Sequence, residues 1–318
     1  MNSRNTTVDI MKGIAILLMV IGHLFKNEAL HTFIWSFHVP LFFAVSGYFT
    51  KRTDRSLSLF QGGKQLVKSM LRRLIVPYFV VCILLIFWFL VKNVDFLKEK
   101  WFDGLYLYGG RGPIWFLFEL FWCRLTFYFV ERIVKNKWWV FAICCIIGLS
   151  AKFVLNYFEC PYFVFQGIIG IVFYCSGWLF RQLKINGAWL VCLGILLWIP
   201  ALVFSFGDVW ECNIYMFFIS AFCSCGAIYV VSRLSKVIDQ HTIVIRGFLS
   251  WCGLYSMVIL CMHSFEMWSG ISETILNHIA VNNFTPVFIV RLIQIIMTLL
   301  LSFVCTKLNF LRKIFCAK

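Results

Sequence analysis

The sequence predicts an all-α polytopic membrane protein, a bundle of about ten transmembrane helices making one domain over residues 1–318, with both termini cytoplasmic. Three observations carry that expectation. The chain is 61% hydrophobic and 19% aromatic, with a mean hydropathy of +0.86. Charged residues make up 14% of it, against roughly 25% in soluble domains. The basic residues fall in alternate gaps between apolar runs, the pattern that sets the orientation of membrane helices.

A span needs roughly 20 apolar residues. In order, such runs occupy about 8–26, 32–50, 74–92, 113–131, 138–156, 161–180, 188–206, 211–231, 246–265 and 286–308. The first reads as a span kept in the mature chain and not as a cleaved leader. It is too long, it contains Lys12 and His23, and no small-residue cleavage site follows. After the second run come Lys51, Arg52, Arg55, Lys64, Lys68, Arg72 and Arg73. After the fourth stand Arg132, Lys135 and Lys137, and after the sixth Arg181 and Lys184. Arg233, Lys236 and Arg246 follow the eighth, and the tail adds Arg312, Lys313 and Lys318. The opposite gaps are poor in basic residues or acidic, with Asp208 and Glu211, then Glu266 and Glu273; the gap 93–112 mixes both signs. Every even-numbered gap is positive, which puts both ends inside.

The net charge of +15 belongs to this topology and to anionic lipid, so nucleic acid is excluded as a partner. Of the 14 cysteines, most lie within apolar runs, among them Cys82, Cys144, Cys145, Cys223 and Cys225. There they act as small hydrophobes, with no disulfide framework.

Lys12 and His23 stand on one helix, and ionisable groups are expensive in hydrocarbon. Eleven residues of helix turn through about 1100°, close to three full turns, so the two share a face roughly 16 Å apart. Given the orientation, His23 falls in the outer half. His38 on the second run, Glu119 on the fourth, His263 near the outer end of the ninth and Arg291 on the tenth reach a comparable depth. Buried charges need partners, so these five groups predict a polar cavity opening outward. On the other side, KRTDRSLSLFQGGKQLVKSMLRRLIVP (51–77) alternates basic and apolar residues. It reads either as an interfacial segment drawn to anionic membrane lipids or as a docking patch for a polyanionic, nucleotide-bearing ligand.

Several stretches resemble the acyltransferase-3 family of bacterial integral membrane proteins, which O-acylate cell-surface glycans and related acceptors. Lys12 and His23 match that family's basic residue, ten intervening residues and histidine, with Asp9 ahead of them. FHVPLFFAVSGYF (37–49), LRRLIVPYF (71–79), PIWFLFEL (113–120) and LSWCGLYSMVILCMHS (249–264) resemble its later motifs, in order. Lysine replaces the commoner arginine at position 12, and no hydrolase-like extracytoplasmic domain is appended.

The resemblance implies an enzyme of the bacterial cytoplasmic membrane. Its donor is acyl-CoA, usually acetyl-CoA, its acceptor is a cell-surface glycan or a lipid-linked sugar, and no metal is expected. Arg72, Arg73 and Lys68 are the expected CoA contacts. His23 is the expected general base, since an imidazole titrates near neutrality, and a covalent acyl-histidine is the alternative. Asp9 and Lys12 are placed to pair along one face. His38, Trp115, Glu119, His263 and Arg291 are the candidates to orient His23 or to bind acceptor hydroxyls. Ser46 and Gly47 read as a close helix contact, not as a nucleophile. A transporter of glycans or small solutes is the competing class, because intramembrane histidines and carboxylates also build proton relays. No inverted repeat or matched pair of broken helices supports it.

Overall fold

The computed structural model describes residues 5–25, 27–52, 55–92, 113–158, 160–183, 187, 189–204, 213–271 and 287–315. The gap 93–112 and the charges at Lys184, Asp208, Glu211, Glu273 and Lys318 lie outside them. Every regular element among the described residues is helical.

Helix α1 (Thr6–Leu24) starts at Asn5, whose side chain accepts from the Val8 amide and satisfies one orphan donor of the first turn. The second apolar run forms α2 (Glu28–Trp35) and α3 (His38–Phe49), interrupted at Ser36–Phe37. The basic segment becomes helix α4 (Leu59–Met70), opened by a reciprocal capping box between Ser58 and Gln61. It passes through one π-helical turn, Leu71–Ile75, where the Val76 amide donates to the Leu71 carbonyl five residues back. It continues without a break as α5 (Val76–Val91). Then come a 3-10 turn at Pro113–Trp115, α6 (Phe116–Ile133), α7 (Lys137–Leu155), α8 (Val164–Ile169) and α9 (Ile171–Leu183). The chain closes with α10 (Trp189–Val203), α11 (Ile214–His241), α12 (Ile243–Leu254), α13 (Ser256–Ser269), α14 (Val287–Lys307) and α15 (Asn309–Phe315).

All ten apolar runs contain helix, but they do not give ten equal spans. Among the described residues seven helices are long and apolar enough to cross a membrane. Two bent pairs raise this to nine, one pair turning by 43° at Gly170 and the other by 73° at Tyr255. The run at 188–206 yields a helix of 15 residues, about 22 Å long against a hydrocarbon core of ~30 Å. Two further expectations change. Glu266, counted with an outer loop, is buried inside α13. Arg233 and Lys236, counted as loop charges, lie on α11, which runs ten residues beyond the apolar stretch to His241.

The basic gaps do converge. An Arg55 guanidinium N–H donates to the Glu131 carbonyl at 3.3 Å, Arg181 donates to the Tyr48 carbonyl at 3.2 Å, and Thr7 donates to the Asp239 carboxylate at 2.7 Å. The ends of the second, fourth, sixth and eighth runs therefore share one face with the start of the first. Outward faces are apolar, with Ile83, Phe87, Leu90, Ile146 and Phe222 exposed as lipid-facing residues require.

The two tightest crossings among the described residues bring backbones into contact, the use that membrane helices make of small residues. At the first, a Cβ on Gly253 of α12 would lie 1.7 Å from the Asp9 carbonyl oxygen of α1, and one on Gly13 would lie 2.1 Å from the Leu249 carbonyl oxygen. At the second, a Cβ on Gly47 of α3 would lie 1.8 Å from the Tyr174 carbonyl oxygen of α9. Gly47 thus plays the packing role its motif suggested.

Candidate active site

Asp9 and Lys12 pair on α1, with Nζ 2.9 Å from Oδ1. The pair sits at the Gly13–Gly253 crossing, where the Asp9 carbonyl meets Gly253, so the backbone beneath it is clamped by α12. Lys12 and His23 line one cavity of about 140 Å³, together with His38, Ser46, Trp115 and Ser256. The remaining walls are apolar, with Ile16, Met19, Phe42, Phe116 and Leu260 among them. The face shared by Lys12 and His23 is therefore the wall of one continuous space between α1, α3, α6 and α13.

The interruption of the second run places His38. Ser36 is held from three directions. Its carbonyl accepts from Ser224 at 2.7 Å, its hydroxyl accepts from the Trp198 indole at 2.8 Å, and that hydroxyl donates to the Phe33 carbonyl at 2.7 Å. Beyond the break, His38 Nδ1 lies 2.9 Å from the Ile34 carbonyl. A carbonyl only accepts, so Nδ1 is the donor of this bond and Nε2 is the nitrogen left uncommitted by it. Trp35 sits between the imidazoles, its ring 5.1 Å from His23 and 4.8 Å from His38, with His31 stacked on it at 3.9 Å. His263 of α13 is fully buried with its ring 5.9 Å from that of His23, and neither of its nitrogens has a hydrogen-bond partner among the described residues.

Glu119 and Arg291 do not join this cavity. Glu119 is buried on α6 with its backbone against Gly167, and Arg291 donates to Gln294 one turn along α14 at 2.8 Å.

At the basic end a second space, a vestibule of about 640 Å³, is lined by Lys51, Arg73, Arg124, Tyr128 and Tyr174, with Phe49 on its wall. Lys12 Nζ, on the wall of the cavity, lies 5.9 Å from the centre of the Phe49 ring, on the wall of the vestibule. Of the three expected CoA contacts, Arg73 lines the vestibule, while Arg72 and Lys68 are exposed outside it. Arg124 was not anticipated. It stands inside the fourth apolar run, and its Nε is buried without a partner among the described residues. The signal was available in FWCRLTF, an arginine in the middle of an apolar stretch. Lys152 and Glu131 are further buried charges within helices that were not singled out, and Glu266, counted with an outer loop, is a third.

A family model described as an acyltransferase domain (acyltransferase-3) matches residues 5–307. The chain belongs to the acyltransferase-3 family. Among its relatives is the Nodulation protein NolL of Mesorhizobium japonicum, 27% identical over 194 residues that cover 57% of this chain and 49% of that protein. The Nodulation protein NolL of Sinorhizobium fredii is 28% identical over 203 residues, covering 57% and 50% respectively. The chain thus spans about half the length of the curated relatives it matches. No solved structure matches it. With seven to nine span-length apolar helices among the described residues, this member of the acyltransferase-3 family is a multi-pass membrane protein.

Proposed function

We propose that this chain is a membrane O-acyltransferase. It moves an acyl group, acetyl foremost, from cytoplasmic acyl-CoA to a hydroxyl of a cell-surface glycan or its lipid-linked precursor. The observation that carries the reading is the single cavity lined by Lys12, His23 and His38, with Lys12 beside Phe49 of a vestibule lined by three cations. Phosphates of the donor suit Lys51, Arg73 and Arg124, since a guanidinium offers charge-assisted and bidentate contacts. The slender acyl-bearing arm then passes Phe49 and Lys12 into the space lined by His23 and His38. The acceptor reaches His23 from the opposite end.

There His23 removes the proton of the acceptor hydroxyl as the oxygen attacks the thioester carbonyl. The tetrahedral adduct collapses, the C–S bond breaks, and the CoA thiolate takes up the proton from the imidazolium. His38, its Nδ1 committed to Ile34, turns Nε2 towards the shared space as an acceptor for substrate hydroxyls. Lys12, held by Asp9, orients the arm as it passes. His263, beside His23, is the neighbour placed to receive or return a proton.

Purified protein in lipid nanodiscs, given acetyl-CoA and a glycan acceptor, should release one thiol per acyl ester formed, and His23→Ala should stop both. Passage of the glycan across a vesicle membrane with no thiol release would replace this reading by transport.

A further inference from the structure

A third cavity, of about 380 Å³, opens at the basic end on the other side of α1, between α1, α3, α9 and α11. Its volume falls in the range of small-molecule sites, roughly 300–1,000 Å³. The wall on α1 comes from Val8 and Met11, the positions next to the Asp9–Lys12 pair. Opposite them, Tyr229, Ser232, Arg233 and Lys236 recur at i, i+3, i+4 and i+7 along α11, one stripe of one helix. Arg233 and Lys236 stand on the part of α11 that extends past its apolar stretch. Neither has an ion-pair partner among the described residues. The nearby carboxylate of Asp239 accepts instead from Thr7, which closes the rim between α1 and α11.

We propose that this cavity is a binding site for an anionic glycerophospholipid. The headgroup phosphate rests on Arg233 and Lys236 with the Ser232 hydroxyl as a donor, and an acyl chain lies against Val8, Met11, Val45 and Ile228. The chemistry is that of an amphiphile: two unpaired cations at a rim, an apolar floor, and a position at the membrane interface. Basic pockets between transmembrane helices recognise anionic lipid headgroups in this way. Free phosphate fits the rim but leaves the apolar floor uncovered, and a zwitterionic lipid fits the floor but leaves the cations uncompensated. The lipid acts as a wedge that steadies α1 from the side opposite the substrate cavity. Val45 lines both spaces, so the two sites share one wall.

The test is binding, which stands or falls apart from any catalytic reading. Full-length protein in detergent is offered equal amounts of dioleoyl phosphatidylglycerol and dioleoyl phosphatidylethanolamine, and retained lipid is counted by native mass spectrometry. One phosphatidylglycerol should be retained in preference, and excess inorganic phosphate should not displace it. Juxtamembrane cations contribute about 1 kcal/mol each, so R233Q/K236Q should weaken retention by at least about tenfold. R312Q/K313Q, which removes equal charge from exposed positions on α15, should leave it unchanged. Ser232→Trp keeps both cations but fills the cavity and should also abolish retention. Equal retention of the two lipids, displacement by phosphate alone, or equal loss in the two charge variants would overturn the site. So would a folded Ser232→Trp protein that binds like the wild type.

Discussion

Replacing Gly253 by alanine tests whether the α1–α12 crossing fixes the position of Asp9 and Lys12. The added Cβ would lie 1.7 Å from the Asp9 carbonyl oxygen, 2.6 Å from its carbon and 2.9 Å from the Gly13 nitrogen. An ordinary carbon–oxygen approach is about 3.3–3.6 Å, so the helices must part by roughly 1.5 Å at that point. The blocking atoms are backbone and cannot swing aside. Overpacking commonly costs 1–3 kcal/mol, and we place this substitution at the upper end, about 3 kcal/mol. A displacement of ~1 Å in a positioning group is enough to cost about 10²-fold in rate. Gly253→Ala should therefore insert, melt several degrees lower, and turn over about 10²-fold more slowly. Gly247 on the same helix is the control. A Cβ there meets nothing within 4 Å, so Gly247→Ala should be neutral or slightly stabilising through helix propensity. Thermal melting by tryptophan fluorescence and thiol-release turnover on both variants decide the matter. Equal melting temperatures and equal turnover for the two would refute the clamp.

His23→Ala should insert and still bind acyl-CoA yet lose transfer by about 10² or more, and near-normal turnover would move the base to His38 or His263. Lys12→Arg should keep the pair with Asp9 and most of the activity, whereas Lys12→Ala should weaken donor use or lower the melting temperature. Arg73→Gln and Arg124→Gln should each raise the donor KM by about tenfold with kcat little changed, since contacts remote from the reacting carbon mainly bind. Arg72→Gln, outside the vestibule, should raise it by less than about threefold, and equal effects at 72 and 73 would return both to a lipid-facing role. Single cysteines introduced at 55 or 68 should react with an impermeant reagent only from the cytoplasmic side, and labelling from outside would invert the orientation.

The apolar runs were legible because span length is a sum over many residues, insensitive to local detail. Their breaks were not. The bends fall at Gly170, which packs on the Phe43 ring, and at Tyr255, and neither position carries the proline that would have announced a break. The second run did carry a signal in Pro40, now in the first turn of α3, where a missing amide is tolerated. The far end of α11 was missed because SRLSKVIDQH is too polar to read as a span, although it is good helix. Within the site, the spacing of Lys12 and His23 gave a true statement about one face, because the helical period ties sequence to azimuth. For Glu119 and Arg291 only depth was argued. Depth says nothing about which way a helix is rotated, so two groups at one level can face different neighbours. Arg124 escaped because it lies in the half of the membrane where no cavity was sought.

The π-helical turn at Leu71–Ile75 joins the basic helix α4 to the membrane helix α5 just ahead of Pro77, which has no amide to donate to the Arg73 carbonyl. A five-residue hydrogen-bond step accommodates one residue more than an α-helical turn, and each residue of an α-helix advances the side-chain direction by about 100°. The turn works as an angular coupling between two rods. Excising a single residue from 71–75 would restore uniform winding and leave α5 untouched in the membrane. Because the wide turn absorbs that residue, α4, with Gln65 and Leu66 on the vestibule wall, would keep its azimuth to within a few tens of degrees, whereas excising a residue from 67–70 would rotate that wall by about 100° about the common axis. The aim of the helix lining the vestibule is thus set by a count of residues as well as by their identities, and an insertion or deletion that the wide turn does not absorb would re-aim the vestibule while every span stayed in place.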